Sequence, residues 1–325
     1  MAMTPFSYAS AETTEDALQV LGPDCRPLAG GIDLLGMLKE ALIAPSRVVD
    51  IKRIPSLSDI EEREDGWHIG ALTTLARLTA HRAISRLPEL ALFYQALRET
   101  ASPQIRHAAT LGGNLLQRPR CWYFRNALTH CLRKGGQRCF AFRGENRYHA
   151  ILGGGPCYIV HPSDPAVALL ALDASVTIQD QERSRSVPLA DFYLLPKQNA
   201  HHETDLAPQE LLTEILIPRP APGTRGAYVK IAEHGARDFG LVSAAVQLST
   251  SEDVVTAARV VLGGVAPVPW RSQEAEEALL GSALNPNTID RAAHASTDGA
   301  RPLAQNAYKV DLAQGVVRQA LQGLV

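Results

Sequence analysis

The chain has 325 residues, 46% of them apolar, and a formal charge of -2 at neutral pH. This length predicts a multi-domain protein with two or three separate cores. The nearly balanced charge excludes a whole-protein field that would recruit nucleic acid, and no stretch reaches the roughly 20 apolar residues of a membrane span. Because the N-terminus lacks the basic start and apolar core of a signal peptide, we expect a cytoplasmic protein without membrane insertion.

The N-terminal part of the sequence predicts a small unit of alternating strands and helices that ends at Pro55. Apolar runs bounded by turn residues indicate strands, and three-to-four-residue periodicity indicates helices. The predicted strands begin at Phe6 and cover residues 26–29 and 47–51; the predicted helices cover residues 12–21, opened by Ser10, and 34–42.

Regular elements continue on both sides of a long irregular segment between Gly112 and Pro165. A segment of this length inside a compact domain is usually functional or disordered, and we predict a function for it. Residues 218–226 contain three prolines and two glycines and form the predicted linker to a second domain. The remaining predicted strands cover residues 67–72, 175–179, 211–217, 227–231, 243–248 and 258–262, and the helices cover 74–80, 89–100, 166–172, 274–280 and 311–321.

Two loops place paired glycines where backbone amides could hold a phosphate. The first reads PLAGGIDLL at residues 27–35, and the second reads ASPQIRHAATLGGN at residues 101–114. Absent side chains let a phosphate approach backbone N–H groups, and a helix N-terminus adds favourable partial charge. Neither loop is a Rossmann fingerprint or a P-loop, and an ordinary turn could have the same letters. Two such loops in one chain favour a phosphate-bearing ligand.

These loops, with SDPAVALLALDA at residues 163–174 and GGVAPVPWR at residues 263–271, give the chain a family resemblance. It resembles the FAD subunits of the molybdenum hydroxylases, the group that contains xanthine dehydrogenase, aldehyde oxidoreductases, carbon monoxide dehydrogenase and 4-hydroxybenzoyl-CoA reductase. The resemblance covers nearly the whole chain. It therefore also implies a fold and a domain organisation.

The implied fold is α+β, with an FAD-binding domain over residues 1–222 and a C-terminal domain over residues 223–325. The FAD-binding domain would consist of a small strand-helix subdomain, residues 1–55, and a larger subdomain, residues 56–222, with a mixed or antiparallel sheet and helices. The C-terminal domain would combine an antiparallel sheet with helices.

The resemblance also implies which residues contact FAD. The first loop would hold the pyrophosphate on its backbone amides, through Leu28, Ala29, Gly30, Gly31, Ile32, Asp33 and Leu34. The other implied contacts are Thr110, Gly113 and Asn114 at the phosphate and ribityl region, Asp164 at sugar or ribityl hydroxyls, Lys230 at the pyrimidine edge, and Ala101, Ser102 and Leu212 at the flavin ring. Ile32 and His107 depart from the threonine and asparagine that are common in the family.

Four of the five cysteines lie in an insertion, residues 115–163. They are Cys121, Cys131, Cys139 and Cys157. Four thiolates could ligate an iron-sulfur cluster or zinc, and their wide spacing leaves the metal, and even unligated cysteines, open. The run RPRCWYFR at residues 118–125 looks like bacterial aldehyde oxidoreductase subunits, and this resemblance implies a [4Fe-4S] cluster on the four cysteines. Cys25 is predicted to be a small buried side chain.

The insertion also concentrates positive charge opposed within it only by Glu145. Its basic residues are Arg118, Arg120, Arg125, Arg133, Lys134, Arg138, Arg143 and Arg147. Such a run is usually a solvated face. Alternatively, it could balance cluster thiolates or dock an acidic partner, while neighbouring aromatic side chains shield a cluster from water.

The resemblance implies an FAD-binding electron-transfer subunit of a heterotrimeric, molybdenum-containing aldehyde oxidoreductase. Substrate oxidation would occur in a large molybdenum-cofactor subunit, and electrons would pass through a small [2Fe-2S] subunit and FAD to an external acceptor. No catalytic residue for substrate oxidation is then expected in this chain. The alternatives are a subunit of a xanthine or aromatic acyl-CoA hydroxylase or reductase, and a zinc-stabilised assembly scaffold without flavin function. The alternative compartment is the periplasm, reached by co-export with a signal-bearing partner.

Overall fold

A computed structural model describes residues 3–235 and 237–325. Its strands form three sheets, which follow one another along the chain, and helices pack against each of them. The α+β fold is therefore confirmed. Among the helices of the described residues, none combines the length and apolar character needed to cross a bilayer.

The first sheet has three parallel strands in the order β1-β3-β2. Its elements are β1 (Ser7–Ser10), α1 (Thr14–Val20), β2 (Cys25–Leu28), α2 (Leu34–Lys39) and β3 (Arg47–Asp50). Helix α1 begins later than the predicted cap at Ser10, because Thr13 and Asp16 cap it reciprocally. Thr13 Oγ1 accepts from the Asp16 amide at 3.1 Å, and Asp16 Oδ2 accepts from the Thr13 amide at 3.0 Å. Helix α2 ends before residue 42, where Ala41 takes a positive φ of 52°.

The second sheet has five antiparallel strands in the order β4-β5-β8-β6-β7. The unit contains β4 (Ile60–Arg63), β5 (Gly66–Gly70), α3 (Leu75–Ala80), α4 (Arg82–Arg86), α5 (Ala91–Glu99), α6 (Pro103–Ala108), α7 (Leu111–Leu115), α8 (Trp122–Arg125), α9 (Asp164–Ala171), β6 (Ser175–Gln179), β7 (Ser184–Pro188), α10 (Leu189–Phe192) and β8 (Leu211–Pro218). The edge strands β4 and β7 were not predicted, because they are short, largely polar and exposed.

The third sheet has four antiparallel strands in the order β12-β11-β10-β9. Its unit contains β9 (Thr224–Ala232), β10 (Gly240–Ser251), β11 (Val254–Gly263), β12 (Trp270–Arg271), α11 (Gln273–Leu279), α12 (Pro286–Ala295) and α13 (Tyr308–Gln322). Helix α12 was missed although its start has the expected signals, an Asn285 cap followed by Pro286.

Helix α9 joins the second and third units. Every residue of it is buried, and it packs against α5 on one side and against β10 and β11 on the other. Because its first residue is Asp164, this apolar helix carries a carboxylate into the protein interior. The Ser163 side chain caps the helix by accepting from the Ala166 amide at 3.1 Å.

The cysteine-bearing insertion is folded against its neighbours. It contains α8 and two short 3₁₀ turns, Leu132–Lys134 and Phe140–Phe142. Asn146 and Gln305 exchange two hydrogen bonds of 2.9 Å, and the Lys309 ammonium donates to the Tyr148 carbonyl at 2.9 Å. The insertion is therefore fastened to the C-terminal unit.

His68 on β5 allows a prediction about stability and pH. Burial lowers the pKa of His68, but hydrogen bonds to Asp65 at 2.9 Å and Glu214 at 3.0 Å raise it more, so the net pKa lies above its ordinary value of 6.5. The folded state thus holds this proton more tightly, and the stabilisation is present below pH 6.5 and lost as the pH rises through the folded pKa. We expect His68→Gln to lower the free energy of unfolding by about 1 kcal/mol at acidic pH and by less at alkaline pH. Urea unfolding of the unaltered chain and of His68→Gln, below and above about pH 7, measures this loss. A stability difference between the two proteins that grows with pH would contradict the prediction.

Candidate functional site

A cavity of about 640 Å³ lies where the three units meet. Both glycine loops line it, together with the start of α9, the strands β8 and β9, and the loop from β9 to β10. Its volume is within the range of small-molecule and cofactor sites. The cavity is therefore the candidate binding site.

The first glycine loop forms one wall and offers a row of free donors. Within residues 3–235 and 237–325, the four consecutive amides from Gly30 to Asp33 make no hydrogen bond. Gly31 takes a positive φ of 74°, which favours glycine, and a Cβ on Gly30 would collide with the Ala108 carbonyl oxygen. The two glycine loops thus touch, and the free amides form a cradle suited to an anionic group.

In the second glycine loop, most backbone N–H groups already donate hydrogen bonds within the protein. Thr110 caps α7, accepting from the Gly113 amide through Oγ1 at 3.2 Å and from the Asn114 amide through its carbonyl at 2.9 Å. The Asn114 Oδ1 accepts from the Ser163 hydroxyl at 2.6 Å. The hydroxyl protons of Ser102 and Thr110 and the amide group of Asn114 are among the polar groups that this loop can still offer to a ligand.

Ala101 is held in a strained conformation at the cavity. Its φ is 50°, which is unfavourable for a residue with a side chain. The Arg106 guanidinium donates from Nη1 to the carbonyls of Ala101 at 2.9 Å and Thr100 at 3.0 Å and holds this turn in place. Arg106 therefore shapes the wall next to Ser102, a role that no sequence pattern indicated.

A buried ion pair lies at the opposite wall. The Lys230 ammonium donates to Asp164 Oδ2 at 2.8 Å and to the Glu99 carbonyl at 3.0 Å, and the Tyr228 hydroxyl donates to Asp164 Oδ1 at 2.8 Å. The side chains of Lys230 and Asp164 are only 3% and 10% exposed. Burial raises the pKa of Asp164 more than Lys230 and Tyr228 lower it, so the net pKa lies above its ordinary value. These two partners are therefore the groups that stabilise the charged form of the carboxylate.

The structure brings most of the predicted FAD contacts to this one cavity. Ala29, Gly30, Gly31, Ile32, Asp33, Leu34, Ala101, Ser102, Thr110, Gly113, Asn114, Asp164, Leu212 and Lys230 line it. Leu28 does not; it ends β2, and its side chain lies beside Gly31. His107 is exposed and lies outside the cavity lining.

Sequence reasoning missed several residues of the cavity wall. Arg118, Arg120, Arg237, Asp238 and Phe239 line the cavity as well. The first two had been grouped with the basic run of the insertion, and the other three follow β9 in an irregular loop. The available signal was Phe239, an aromatic residue in a polar loop soon after the predicted Lys230 contact. In the structure its side chain is exposed.

The four cysteines of the insertion surround a second, much smaller cavity. Cys121, Cys131, Cys139 and Cys157 all line it, although they lie far apart in sequence. Cys25 is buried in the first unit and does not take part. Among the described residues, no three His, Cys, Asp or Glu side chains are grouped closely enough to hold a single metal ion.

Charged and polar groups lie beside these thiols. The hydrogen bond from Cys139 lowers the pKa of Cys157 to about 6, and the Arg133 guanidinium acts in the same direction against burial. Burial raises the pKa of Cys121 to about 11. The His149 Nε2 lies 3.3 Å from Cys121 Sγ. The site therefore places the positive charge of Arg133 and the ring of His149 beside its thiols.

The basic residues of the insertion are not all a solvated face. Arg118 and Arg133 both bind Glu203, at 3.0 and 2.7 Å, and Arg125 binds Asp33 at 2.8 Å. The opposing charges therefore come from outside the insertion. Arg143 stays exposed, as expected of a solvated position.

Fold and cavity together define a flavoprotein, in which free backbone amides and a buried lysine-carboxylate pair face one large cavity. The chain belongs to the family of FAD-binding subunits of molybdopterin-dependent dehydrogenases. Residues 4–220 match the family described as FAD binding domain in molybdopterin dehydrogenase, and residues 227–324 match the CO dehydrogenase flavoprotein C-terminal domain. The predicted family, its oxidoreductase class and its FAD cofactor are confirmed.

Known relatives match along most of their length. The chain is 36% identical to the aldehyde oxidoreductase FAD-binding subunit PaoB of Escherichia coli, covering 98% of each chain. It is 30% identical to the 6-hydroxypseudooxynicotine dehydrogenase complex subunit alpha of Paenarthrobacter nicotinovorans, covering 92% of this chain and 86% of that one. A solved carbon monoxide dehydrogenase from Hydrogenophaga pseudoflava superposes with a TM-score of 0.77 and 27% identity, over 99% of this chain and 98% of that one.

Proposed function

We propose that this chain is the electron-transfer subunit of a heterotrimeric molybdenum-containing aldehyde oxidoreductase. A large subunit with the molybdenum cofactor would oxidise the substrate, and a small [2Fe-2S] subunit would pass the electrons on. The full-length similarity to an aldehyde oxidoreductase subunit supports this choice over a xanthine or aromatic acyl-CoA enzyme. FAD supplies the ability to take up electrons singly and to release them as a pair to an external acceptor. We propose residues 1–222 as the FAD-binding domain and residues 223–325 as the C-terminal domain.

The residues present fit FAD. The free amides from Gly30 to Asp33 would hold the pyrophosphate, and the polar groups of Thr110 and Asn114 would bind the neighbouring ribityl region. The Asp164–Lys230 pair would bind sugar hydroxyls and the pyrimidine edge, respectively. Ala101, Ser102 and Leu212 would pack against the ring. The row of free amides is the observation that carries this assignment.

We further propose that Cys121, Cys131, Cys139 and Cys157 ligate a [4Fe-4S] cluster. One observation supports it: the four thiols, far apart in sequence, line one cavity. Four thiolates are the ligand set of such a cluster, and they would also satisfy tetrahedral zinc. A zinc-stabilised scaffold is therefore the alternative that metal analysis must separate.

Iron and acid-labile sulfide in the purified complex test the cluster. We expect about four irons and about four sulfides per copy of this chain beyond those of the small subunit. Cys157→Ser should remove them because the site loses one of its four cysteine ligands, while FAD remains bound. Cys25→Ala is the matched control, since this cysteine lies elsewhere and should leave the iron content unchanged. Zinc in place of iron, or an unchanged iron content in Cys157→Ser, would contradict the proposal.

The substrate class can be tested in the same complex. Aldehydes should reduce the bound flavin, as followed by its visible absorbance, and purines or aromatic acyl-CoA esters should not. Reduction by purines alone would assign the complex to the alternative class while leaving the flavin subunit in place.

A further inference from the structure

The inserted segment is attached directly to the first glycine loop through Asp33. Asp33 Oδ2 accepts from the Arg118 amide at 2.8 Å, and its Oδ1 accepts from Arg125 Nη2 at 2.8 Å. The Arg120 Nη1 lies 3.1 Å from the same Oδ1. Although Asp33 precedes α2, its side chain does not cap this helix. One carboxylate therefore gathers three residues of the insertion beside the free amides.

The charges in this region do not balance. Asp33 and Glu203 are the two carboxylates, and they face four guanidinium groups: Arg118, Arg120, Arg125 and Arg133. Of these four, only Arg118 and Arg120 line the large cavity, and Arg118 is paired with Glu203, whereas Arg133 lines the cysteine cavity. A further carboxylate that acts on Arg120 is Glu40, which is exposed to solvent and screened by it.

Arg120 is the residue of this group that is placed best for a ligand. It lines the cavity together with the free amides, its Nη2 donates to Gln117 Oε1 at 3.1 Å, and its Cζ lies 5.1 Å from the centre of the Phe239 ring. Its Nε is buried and has no acceptor in the described part of the chain. Burial and Arg125 both lower the pKa of Arg120, against the effect of Asp33. The charge of this guanidinium is therefore only partly compensated by the protein.

We propose that Arg120, which belongs to the insertion, supplies positive charge that neutralises the pyrophosphate of FAD. This inference rests on the proposed FAD site. The insertion thus has a second role besides holding the cysteines: it completes the dinucleotide site, with Asp33 as the positioning residue that keeps Arg120 at the loop. Arginine suits this task because its planar fork matches phosphate oxygens. The site then distinguishes FAD from flavins without a pyrophosphate.

Equilibrium titration of the full-length chain, freed of flavin, with FAD and with riboflavin tests this role. Riboflavin has the same ring and ribityl chain but no phosphate. We expect Arg120→Gln to weaken FAD binding roughly ten- to a hundredfold and riboflavin binding less than about twofold. Arg143→Gln is the matched control: it removes an exposed arginine of the same insertion, for which the described residues show no hydrogen bond or ion pair, and should change neither affinity.

The salt dependence of the unaltered chain provides a test that needs no variant. FAD affinity should fall with rising salt concentration, whereas riboflavin affinity should stay nearly constant, because only FAD brings phosphate charge to Arg120. Equal weakening of both flavins in Arg120→Gln, or no effect on either, would overturn the inference and leave the FAD site standing. Failure of the unaltered chain to bind FAD at all would instead overturn the proposed function, and this inference with it.

Discussion

Replacing Gly30 by alanine is expected to weaken FAD binding roughly 10- to 100-fold. The reason is steric, since the new Cβ would collide with the Ala108 carbonyl oxygen and force the two glycine loops apart. The free amides that form the cradle would then shift from the positions that face the cavity. Titration of the flavin-free chain with FAD, followed by flavin fluorescence, measures the loss.

Gly36→Ala is the matched control for this substitution. Gly36 lies in α2, directly after the same loop, and a Cβ added there meets no atom within 4 Å. Its FAD affinity should be unchanged, and the chain should gain up to about 1 kcal/mol of stability because alanine favours a helix over glycine. If Gly30→Ala bound FAD as well as Gly36→Ala did, the contact between the two loops would have no part in the site.

Asp164→Asn is expected to cost about 3–5 kcal/mol of stability even without flavin. The substitution leaves the Lys230 ammonium buried with only the Glu99 carbonyl as a strong acceptor. It also removes the ionised partner of the Tyr228 hydroxyl. Urea unfolding of the flavin-free chain, followed by the exposure of buried tryptophan, measures the change.

Two further variants identify the buried charge as the cause. Asp238→Asn alters a half-exposed carboxylate at the same cavity and should change the stability by less than about 0.5 kcal/mol. The double variant Asp164→Asn with Lys230→Met should lose less than Asp164→Asn alone, because no unpaired charge remains. A double variant that loses at least as much stability as Asp164→Asn alone would show that the unpaired lysine charge is not the cause.

The sequence was informative where local rules determine the backbone. Strand β6 was predicted with its observed bounds, and the glycine loops were recognised because phosphate contact and positive φ require residues without a side chain. Helix α12 had a clear start signal that was overlooked. The edge strands β4 and β7 could not be predicted in the same way, since their residues lack an apolar face and they become strands only by pairing with β5 and β6.

The chemistry of the site was less predictable than its location. The family resemblance pointed to Asp164 and Lys230, but only the fold shows that they bind each other and that Tyr228 completes the pair. The basic run of the insertion has no visible partners in sequence, because Glu203 lies far along the chain. Charge pairing of this kind depends on tertiary structure, and therefore local sequence patterns do not reveal it.

An experimental structure of the chain with bound FAD tests the central claim most directly. We predict that the pyrophosphate lies on the amides of Gly30 to Asp33, with the flavin ring beside Ala101 and Lys230. The same map should show Arg120 turned towards the phosphate oxygens. FAD bound outside the cavity between the two glycine loops, or a pyrophosphate with no contact to these amides, would contradict the account.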